Sequence, residues 1–292
     1  MHDTAKHYSR LARLQGLIRL ARPRQWIKNV FVLAPLVFTG EFLMADSVGR
    51  VLAATLLFCL AASATYILND LHDIDDDRRH PVKSLKRPLA SGLVTVPMAL
   101  GLLTLLYAIL AFAAVVAPGV MLVIGSYIAL NVAYTFYLKR EPVVDIFIIA
   151  ICFVMRVYAG AEALAVPVSG WMFITTLCLA LYLASIKRRQ EMSQSGKGAR
   201  EVLQKYSVSL VDRYAEMSGT GALVFYSMFV MSAKPQLIMT VPFVLFGLFR
   251  YWFVVEQLDG GESPTDVLLA DWQLMVTVLA WVGVCAYNLW PH

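Results

Sequence analysis

The sequence predicts an all-α membrane protein with nine transmembrane helices, and three observations support this fold class. Of the 292 residues, 59% are hydrophobic and only 15% are charged, whereas soluble proteins carry roughly 25% charged residues. A soluble domain of this length could not bury so much apolar surface. Apolar stretches of about 20 residues, enough to cross a bilayer as a helix, recur along the chain. The basic residues collect between alternate stretches, as they do in multi-pass proteins.

The segment before the first stretch predicts a basic arm on the membrane surface. Residues 1–28 hold seven lysines and arginines. Leu11, Leu14, Ile18 and Ala21 fall on one face of a helix, and arginines surround the other faces. Such an amphipathic basic helix is typical of a segment that lies on a membrane. We expect a cytoplasmic arm over 1–28 and a single nine-helix membrane domain over 29–292.

The nine predicted spans follow the arm and are separated by charged or turn-forming segments. The first, fifth and seventh are short or interrupted by polar residues. Each of the others offers a nearly continuous apolar run of the length that a spanning helix requires. The spans are placed at 29–45, 49–69, 95–115, 119–138, 143–163, 168–186, 217–233, 236–256 and 272–290.

The basic residues also predict the orientation of these spans. With the N-terminus inside, 21 of the 25 lysines and arginines are cytoplasmic, and only Arg50 and Lys234 lie outside. Because an excess of lysine and arginine marks cytoplasmic loops, we expect the N-terminus in the cytoplasm and the C-terminus outside the cytoplasmic (inner) membrane. The pI of about 9.0 then reflects topology, and no nucleic-acid partner is expected.

A dense acidic cluster begins where the second span ends. Five aspartates occupy the eight positions 70–77. Asp70, Asp73 and Asp77 follow i, i+3, i+7 spacing, which places them within about 60° on one helical face. Carboxylates so placed repel one another unless a cation lies among them, and oxygen ligands suit Mg²⁺. We predict that these three catalytic aspartates hold Mg²⁺ together with the amide of Asn69.

A basic run follows the aspartates directly. It contains Arg78, Arg79, Lys83, Lys86 and Arg87. Arginine and lysine are the side chains that suit phosphate, so the two clusters together favour a diphosphate substrate at the membrane interface. The alternative is a solvated charged loop without function, which an isolated charge run usually is.

The stretch NDLHDIDDDRRHP resembles the NDxxDxxxD motif of the UbiA-type intramembrane prenyltransferase superfamily. That resemblance implies nine transmembrane helices and a cytoplasm-facing, Mg²⁺-dependent site for a diphosphate, in agreement with the count and orientation above. The resemblance extends to the phosphoribosyl-transferring branch of the superfamily. It is carried there by RPRQWIKN (22–29), the continuation of the aspartate motif to residue 92, YTFYLKREPVVDIFIIAICFVMRVYAG (134–160), SIKRRQE (185–191), YSVSLVD (206–212) and SPTDVLLADWQL (263–274).

The resemblance to that branch implies a reaction. It is the Mg²⁺-dependent transfer of 5-phosphoribose from phosphoribosyl pyrophosphate to a decaprenyl-type polyprenyl phosphate, for a cell-envelope glycan precursor. A conventional prenyltransferase acting on an aromatic or quinone precursor stays open, because Asp212 and Glu216 form a DxxxE pair. A polytopic transporter is the third reading, which the confinement of charge to one membrane face disfavours. A homo-oligomer is left open.

Candidate substrate-binding residues lie in the loops and at the cytoplasmic ends of the spans. Loop 187–216 is mostly basic, which favours substrates with many phosphates, although topology alone would also explain it. Arg156 lies about 20 Å along the fifth span and is expected either to pair with an acidic neighbour or to form a cavity wall. The positions and the resemblance together give Lys28, Asn69, Lys83, Arg87, Tyr134, Lys139, Arg156, Lys187, Arg188, Glu191, Tyr206 and Asp212.

Overall fold

A computed structural model describes residues 8–194, 201–257 and 264–290. All regular elements in these ranges are helices. Residues 1–7 of the predicted arm and 195–200 of the predicted basic loop lie outside the described residues. The α-helices are α1 Arg10–Ala21, α2 Ala34–Thr39, α3 Ala45–His72, α4 Ile74–Arg79, α5 Lys83–Lys86, α6 Val96–Val116, α7 Pro118–Phe136, α8 Val144–Leu164, α9 Gly170–Gln194, α10 Val208–Ala233, α11 Val241–Gln257, α12 Pro264–Ala270 and α13 Trp272–Asn288.

Five short 3-10 helices lie between the α-helices of the described chain. They are Pro23–Leu33, Glu41–Leu43, Leu138–Arg140, Glu201–Lys205 and Pro235–Thr240. Two of them extend a neighbouring α-helix, because Pro23–Leu33 runs directly into α2 and Pro235–Thr240 runs directly into α11. Two others, Leu138–Arg140 and Glu201–Lys205, pack against each other.

Six helices of the described chain are long and apolar enough to cross a membrane. They are α3, α6, α7, α8, α9 and the continuous helical stretch Pro235–Gln257, and they coincide with six of the nine predicted spans. The chain is therefore a multi-pass membrane protein. Helix α13 is apolar but has only 17 residues. Helix α10 has 26 residues, but its first turns contain Asp212, Arg213 and Glu216, so the spans predicted at 217–233 and 272–290 stay predictions.

The segment 29–45, predicted as a short or interrupted span, is not one continuous α-helix. This segment consists of the end of the 3-10 helix Pro23–Leu33, then α2, then a second 3-10 helix, Glu41–Leu43. Gly40 ends α2 in a left-handed conformation, with φ 81°, as glycine commonly does at helix ends. The predicted boundary at residue 28 falls inside the first 3-10 helix, so the division into arm and membrane domain also stays a prediction.

Helices α3 and α8 form the centre of the bundle. They are the most buried of the six candidate spans, and α8 packs against α3, α7 and α9. The broken segment Pro23–Leu43 lies against both α3 and α8. Helices α6 and α7 instead turn large apolar side chains such as Phe112, Val115 and Leu122 outward, as is expected of helices that face lipid.

Helix α1 confirms the predicted amphipathic segment. Ser9 caps it, accepting a hydrogen bond from the Ala12 amide at 3.2 Å. Leu11, Leu14 and Ile18 are exposed along one side. Leu20, on the other side, is fully buried against the helices that lead to the aspartate cluster. The helix is therefore fastened to the bundle on one side and leaves its apolar stripe free for a membrane surface.

Candidate active site

A cavity of about 1390 Å³ opens between the helices. Eight lysines and arginines are among its described lining residues, and Glu191 is the single carboxylate among them. A space with this balance attracts anions, and phosphate groups in particular. The cationic lining residues are Arg22, Lys28, Lys83, Lys86, Arg87, Arg156, Lys187 and Arg188.

The lining changes from charged to aromatic along the bundle. Helices α9 and α10 pack antiparallel, since Gly219 meets Tyr182 whereas Gly221 meets Cys178. Lys187 on α9 and Phe229 on α10 therefore lie at opposite ends of this helix pair. Aromatic side chains line the end away from Lys187, among them Phe38, Tyr226, Phe229 and Trp281. One cavity thus joins a cationic wall to an apolar wall.

The three predicted catalytic aspartates do not lie on one continuous helix. Helix α3 ends at His72, and Asp73, with φ −90° and ψ 10°, separates it from α4. Asp70 lies in the last turn of α3 and Asp77 in α4, and both are almost fully buried. The predicted single helical face is therefore broken in the middle, at Asp73.

Asp70 and Asp77 are joined by one guanidinium group. Asp70 Oδ1 accepts from Arg22 Nη2 at 2.5 Å and from Arg87 Nη1 at 2.7 Å. The same Arg87 nitrogen lies 2.5 Å from Asp77 Oδ2, and Lys83 Nζ is 3.8 Å from the other oxygen of Asp77. The aspartates do not themselves line the cavity, whereas Arg22, Lys83 and Arg87 do. The carboxylates thus hold the cationic wall in place from behind.

Asp73 belongs to a separate set of contacts. Its Oδ1 lies 2.7 Å from Lys139 Nζ, and its Oδ2 accepts from Asn69 Nδ2 at 3.1 Å. Thr135 donates to Asn69 Oδ1 at 3.4 Å. Asn69 lines the cavity, but Lys139 does not. Lys139, predicted to bind substrate, therefore pairs with an aspartate instead.

The aspartates agree only in part with the predicted magnesium site. Across the residues that the structure describes, no group of three or more His, Cys, Asp or Glu side chains is placed to share a metal ion. Asp70 and Asp77 do meet at one cationic nitrogen, and carboxylate oxygens are the donors that Mg²⁺ prefers. The Asp70–Asp77 pair therefore fits a divalent cation, whereas Asp73 points to Lys139 and Asn69 instead.

A second charged group surrounds Arg188 on α9. Arg188 is almost fully buried, and its Nε donates to Asp145 Oδ2 at 2.7 Å. Its remaining nitrogens bond to Glu191 and reach Tyr134 Oη at 3.4 Å. Arg188, Glu191 and Tyr134 all line the cavity, and their contact with substrate stays a prediction. Lys187 lines it as well and lies 3.7 Å from the other Glu191 oxygen.

Tyr206 and Asp212 lie outside the cavity lining, so direct substrate contact is not supported for either residue. The Tyr206 hydroxyl donates to Asp145 Oδ1 at 2.7 Å. Burial raises the pKa of Tyr206, and the hydrogen bond to the Asp145 carboxylate adds to this, so the phenol keeps its proton. Asp212 Oδ1 lies 2.7 Å from Arg189 Nε, and Glu216 is exposed. The DxxxE pair therefore does not form a second carboxylate site in the cavity.

Arg156 has no acidic partner within the described chain, contrary to the first expectation. Its Nε donates to Asn29 Oδ1 at 2.8 Å and its Nη1 to the Cys152 carbonyl at 2.6 Å. Its guanidinium lies over the rings of Phe58, Tyr127 and Phe153, 5.1 to 5.3 Å from their centroids. Cation–π contacts of this kind stabilise a buried cation. Arg156 therefore fits the second expectation, a cationic cavity wall.

Sequence reasoning gave no site role to Arg22, and it left Asp145 open between a partner across a helix, a metal neighbour and a capping residue. Arg22, at the left-handed junction between α1 and the 3-10 helix, joins Asp70 and stacks over the Tyr66 ring at 5.0 Å. Asp145 joins Arg188 to Tyr206. The stretch RPRQWIKN begins with Arg22 and was the available signal for it. Nothing in the neighbouring sequence distinguishes Asp145, as the partner of Arg188 and Tyr206, from an aspartate that only caps the start of a helix.

Comparisons with known proteins identify the family of the chain. The sequence model of the UbiA prenyltransferase family matches residues 32–267. Decaprenyl-phosphate phosphoribosyltransferase of Mycolicibacterium smegmatis is 34% identical over 294 residues, covering 92% of this chain and 91% of that protein. The protein of the same name from Mycobacterium tuberculosis is 33% identical over 288 residues and covers 92% of each chain.

Solved structures share the fold. A UbiA homologue from Archaeoglobus fulgidus, bound to DMAPP and Mg²⁺, superposes with a TM-score of 0.71 at 18% sequence identity. The match covers 94% of this chain and 98% of that one. The same homologue bound to GPP and Mg²⁺ gives a TM-score of 0.72. The arrangement of helices around the cavity is therefore common to both proteins.

Proposed function

The chain belongs to the UbiA prenyltransferase family and is a membrane-embedded transferase, and from that premise we propose its reaction. It transfers the 5-phosphoribosyl group of phosphoribosyl pyrophosphate to a polyprenyl phosphate of decaprenyl type and releases pyrophosphate. The names of the relatives that match over most of the chain support this choice of substrates. The product would serve the synthesis of a cell-envelope glycan.

The observation that carries the proposal is the predominance of cations in the cavity lining. Eight lysines and arginines face it, against one described carboxylate. The proposed donor has a diphosphate and a separate 5-phosphate, and the acceptor adds another phosphate. A prenyl diphosphate with an aromatic acceptor has one diphosphate only. Two groups of cations, around Arg87 and around Arg188, suit the pair with more phosphates.

The chemistry follows from these groups. An oxygen of the acceptor phosphate attacks C1 of the ribose, and the bond from C1 to the pyrophosphate oxygen breaks. The bonding electrons leave with the pyrophosphate, to which Arg22, Lys83 and Arg87 in the cavity wall would donate hydrogen bonds. Mg²⁺, held by Asp70 and Asp77, would supply further neutralisation of the leaving group. The acceptor phosphate is already an anion at neutral pH, so the reaction needs no general base.

His80 fits this account as a structural residue. It lines the cavity, but its Nδ1 accepts from the backbone amides of Val82 and Lys83 at 3.3 and 3.4 Å. An imidazole whose acceptor nitrogen is already used in this way is poorly placed to take a substrate proton. His80 therefore shapes the turn that carries Lys83.

The orientation in the membrane belongs to the same proposal. The charged end would face the cytoplasm, where the water-soluble donor is found, with the N-terminus inside and the C-terminus outside the cytoplasmic membrane. The aromatic end of the cavity would receive the first part of the lipid tail. Arg10, Arg13 and Arg19 on α1 would then lie at the cytoplasmic surface, which agrees with the positive-inside tendency.

A labelled-substrate assay tests the proposal. Purified protein in mixed micelles receives radiolabelled phosphoribosyl pyrophosphate, Mg²⁺ and a polyprenyl phosphate. We expect label in the lipid fraction and pyrophosphate release that requires both substrates, with both lost on addition of EDTA. A parallel reaction contains a polyprenyl diphosphate and 4-hydroxybenzoate. Prenylated aromatic product there, without lipid label in the first reaction, would establish the conventional prenyltransferase instead. Absence of turnover in both reactions would contradict both transferase hypotheses and favour the transporter hypothesis.

A further inference from the structure

The turn that leads into α8 holds a backbone conformation that valine rarely adopts. Val143 has φ 69° and ψ −46°. A positive φ is uncommon for any residue except glycine and is a clear outlier for a β-branched one. These angles lie near the positive-φ γ-turn, which is rare and strained. Such a conformation persists only where the surrounding structure holds it.

The group that holds this turn is the hydroxyl of Tyr206. Tyr206 Oη accepts from the Val143 backbone N–H at 2.5 Å and donates to Asp145 Oδ1 at 2.7 Å. One phenol oxygen can do both, because it has one proton and two lone pairs. Tyr206 is almost fully buried, and its ring packs among Ile146, Val211 and neighbouring apolar residues. A single hydroxyl thus binds both ends of the strained turn.

The turn connects to the cavity through a carboxylate. Asp145 is completely buried, and its second oxygen accepts from Arg188 Nε at 2.7 Å. Arg188 is also almost fully buried, yet it lines the cavity together with Glu191 and Tyr134. The direction of the Arg188 guanidinium therefore depends on where the turn places Asp145. Tyr206 does not line the cavity, so its influence on a substrate must pass through these two residues.

We propose that Tyr206 is a positioning residue that locks the strained turn at Val143 and thereby aims Arg188, through Asp145, at a phosphate of the donor. The strain makes this arrangement conditional, because without the Tyr206 hydroxyl the turn can relax and carry Asp145 with it. This inference rests on the proposed function only in that the ligand of Arg188 is the phosphoribosyl donor.

A double-mutant cycle tests the proposal. Y206F keeps the ring and removes the hydroxyl, and V143G removes the strain, because glycine adopts positive φ readily. We expect Y206F to raise the donor KM roughly tenfold, since holding a strained backbone involves free energies of that size, with acceptor KM changed less than about twofold. V143G alone should behave as wild type. The double variant should recover to within about threefold of wild type, because the relaxed turn no longer needs holding.

Y214F is the matched control. Tyr214 packs on the same apolar cluster as Tyr206, but its hydroxyl makes no hydrogen bond to the rest of the described chain, so donor KM should not change. Donor and acceptor KM rising together in Y206F would overturn the proposal. So would an unchanged donor KM in Y206F, or a double variant whose defect is the product of the single ones.

Hydrogen exchange separates this proposal from the choice of substrate. The amide of Val143 should exchange slowly in the wild type and in Y214F, and quickly in Y206F, with no substrate present. If the Val143 amide loses protection in Y206F but the enzyme proves to use a donor other than phosphoribosyl pyrophosphate, the positioning role of Tyr206 is retained and the proposed function is rejected. Equal protection in wild type and Y206F would overturn the positioning role whatever the substrate is.

Discussion

At the scale of single residues, buried or half-buried carboxylates behind the charged end of the cavity hold cations in position. Asp70 and Asp77 share Arg87, Asp73 holds Lys139, and Asp145 holds Arg188. Arginine donors fixed in this way keep their geometry before substrate arrives, which lowers the cost of ordering them on binding. Neutralising a carboxylate should therefore affect both catalysis and the fold, to degrees that depend on its burial.

The first prediction compares Asp70→Asn with Asp73→Asn. We expect each to lower turnover by roughly 100-fold or more, the scale on which loss of one fixed electrostatic group acts. Their stabilities should differ. Asp70 is 2% exposed and bound to two arginines, so its change should cost about 1–3 kcal/mol of unfolding free energy. Asp73 is 23% exposed and should lose less than about 1 kcal/mol.

Thermal unfolding in detergent, followed by tryptophan fluorescence, provides the stability comparison, and pyrophosphate release provides the turnover. Either variant retaining a large share of its activity would remove its aspartate from the catalytic set. Equal stability losses would contradict the difference in burial on which the prediction rests.

The second prediction concerns Lys187. Its side chain is 31% exposed and lines the cavity, so Lys187→Ala should keep the fold while raising the donor KM several-fold, by about 1 kcal/mol. The effect should shrink as ionic strength rises, because salt screens exposed charges. Arg140→Ala is the matched control, since it removes the same charge from an exposed side chain outside the cavity lining. Equal effects in both variants would assign the basic loop to topology alone.

The residues of the candidate site differ in how well the sequence alone predicts them. One short stretch contains Asp70, Asp77, Lys83 and Arg87, so their spacing and charge alone identify them as candidates. Arg22 meets Asp70 across 48 positions, and Asp145 meets Arg188 across 43. No local pattern encodes such a pairing, because it depends on how distant helices pack. The hydroxyl of Tyr206 looked like a substrate contact for the same reason.

At the scale of elements, the broken segment Pro23–Leu43 brings Lys28 to the cavity and begins directly after Arg22, which also lines it. Helix α8 accommodates this segment at Gly160, where an added Cβ would lie 1.9 Å from the Val32 carbonyl oxygen. The nearest atoms belong to the Val32 carbonyl and the Pro35 ring, so no flexible side chain is there to move aside. The absence of a side chain at Gly160 therefore sets the distance between the segment and α8.

The third prediction follows from that close approach. Gly160→Ala should destabilise the protein by about 1–3 kcal/mol, as overpacking in a core does. It should also raise the donor KM, because the segment carries Lys28 and follows Arg22 directly. Gly101→Ala on α6 is the control, since a Cβ there meets nothing within 4 Å, and it should be neutral or gain up to about 1 kcal/mol. Melting temperatures in detergent measure both variants. A Gly160→Ala protein as stable as Gly101→Ala would disprove the tight contact.

The elements also show where hydropathy reading succeeds and fails. Six spans were predictable because long apolar runs have few ways to satisfy backbone hydrogen bonds in lipid other than a helix. The run over 29–45 is equally apolar, but Pro35 and Gly40 divide it, and its packing against α3 and α8 shields the irregular backbone from lipid. Hydropathy measures the apolar character of a segment and contains no information about which helices pack against it.

At the scale of the whole molecule, the cavity combines the two environments that the proposed reaction needs. Its cationic wall suits groups that come from water, and its aromatic wall, with Tyr226, Phe229 and Trp281, suits groups that come from lipid. Both walls enclose one space of about 1390 Å³. A donor and the head of a lipid acceptor can therefore meet without either leaving its own phase completely.

The last prediction concerns the length of the acceptor tail. In the proposed reaction the reacting atoms would lie at the charged end, and only the first isoprene units would reach the aromatic wall. The tail would then contribute to binding and partitioning rather than to chemistry. Each buried CH₂ contributes about 0.8 kcal/mol, so shorter acceptors should show a higher apparent KM at a similar kcat. A series of chain lengths in mixed micelles of constant composition measures both. A large fall in kcat at constant KM would contradict this, because it would mean that a closed tunnel grips the distant tail and that its contacts align the phosphate for attack.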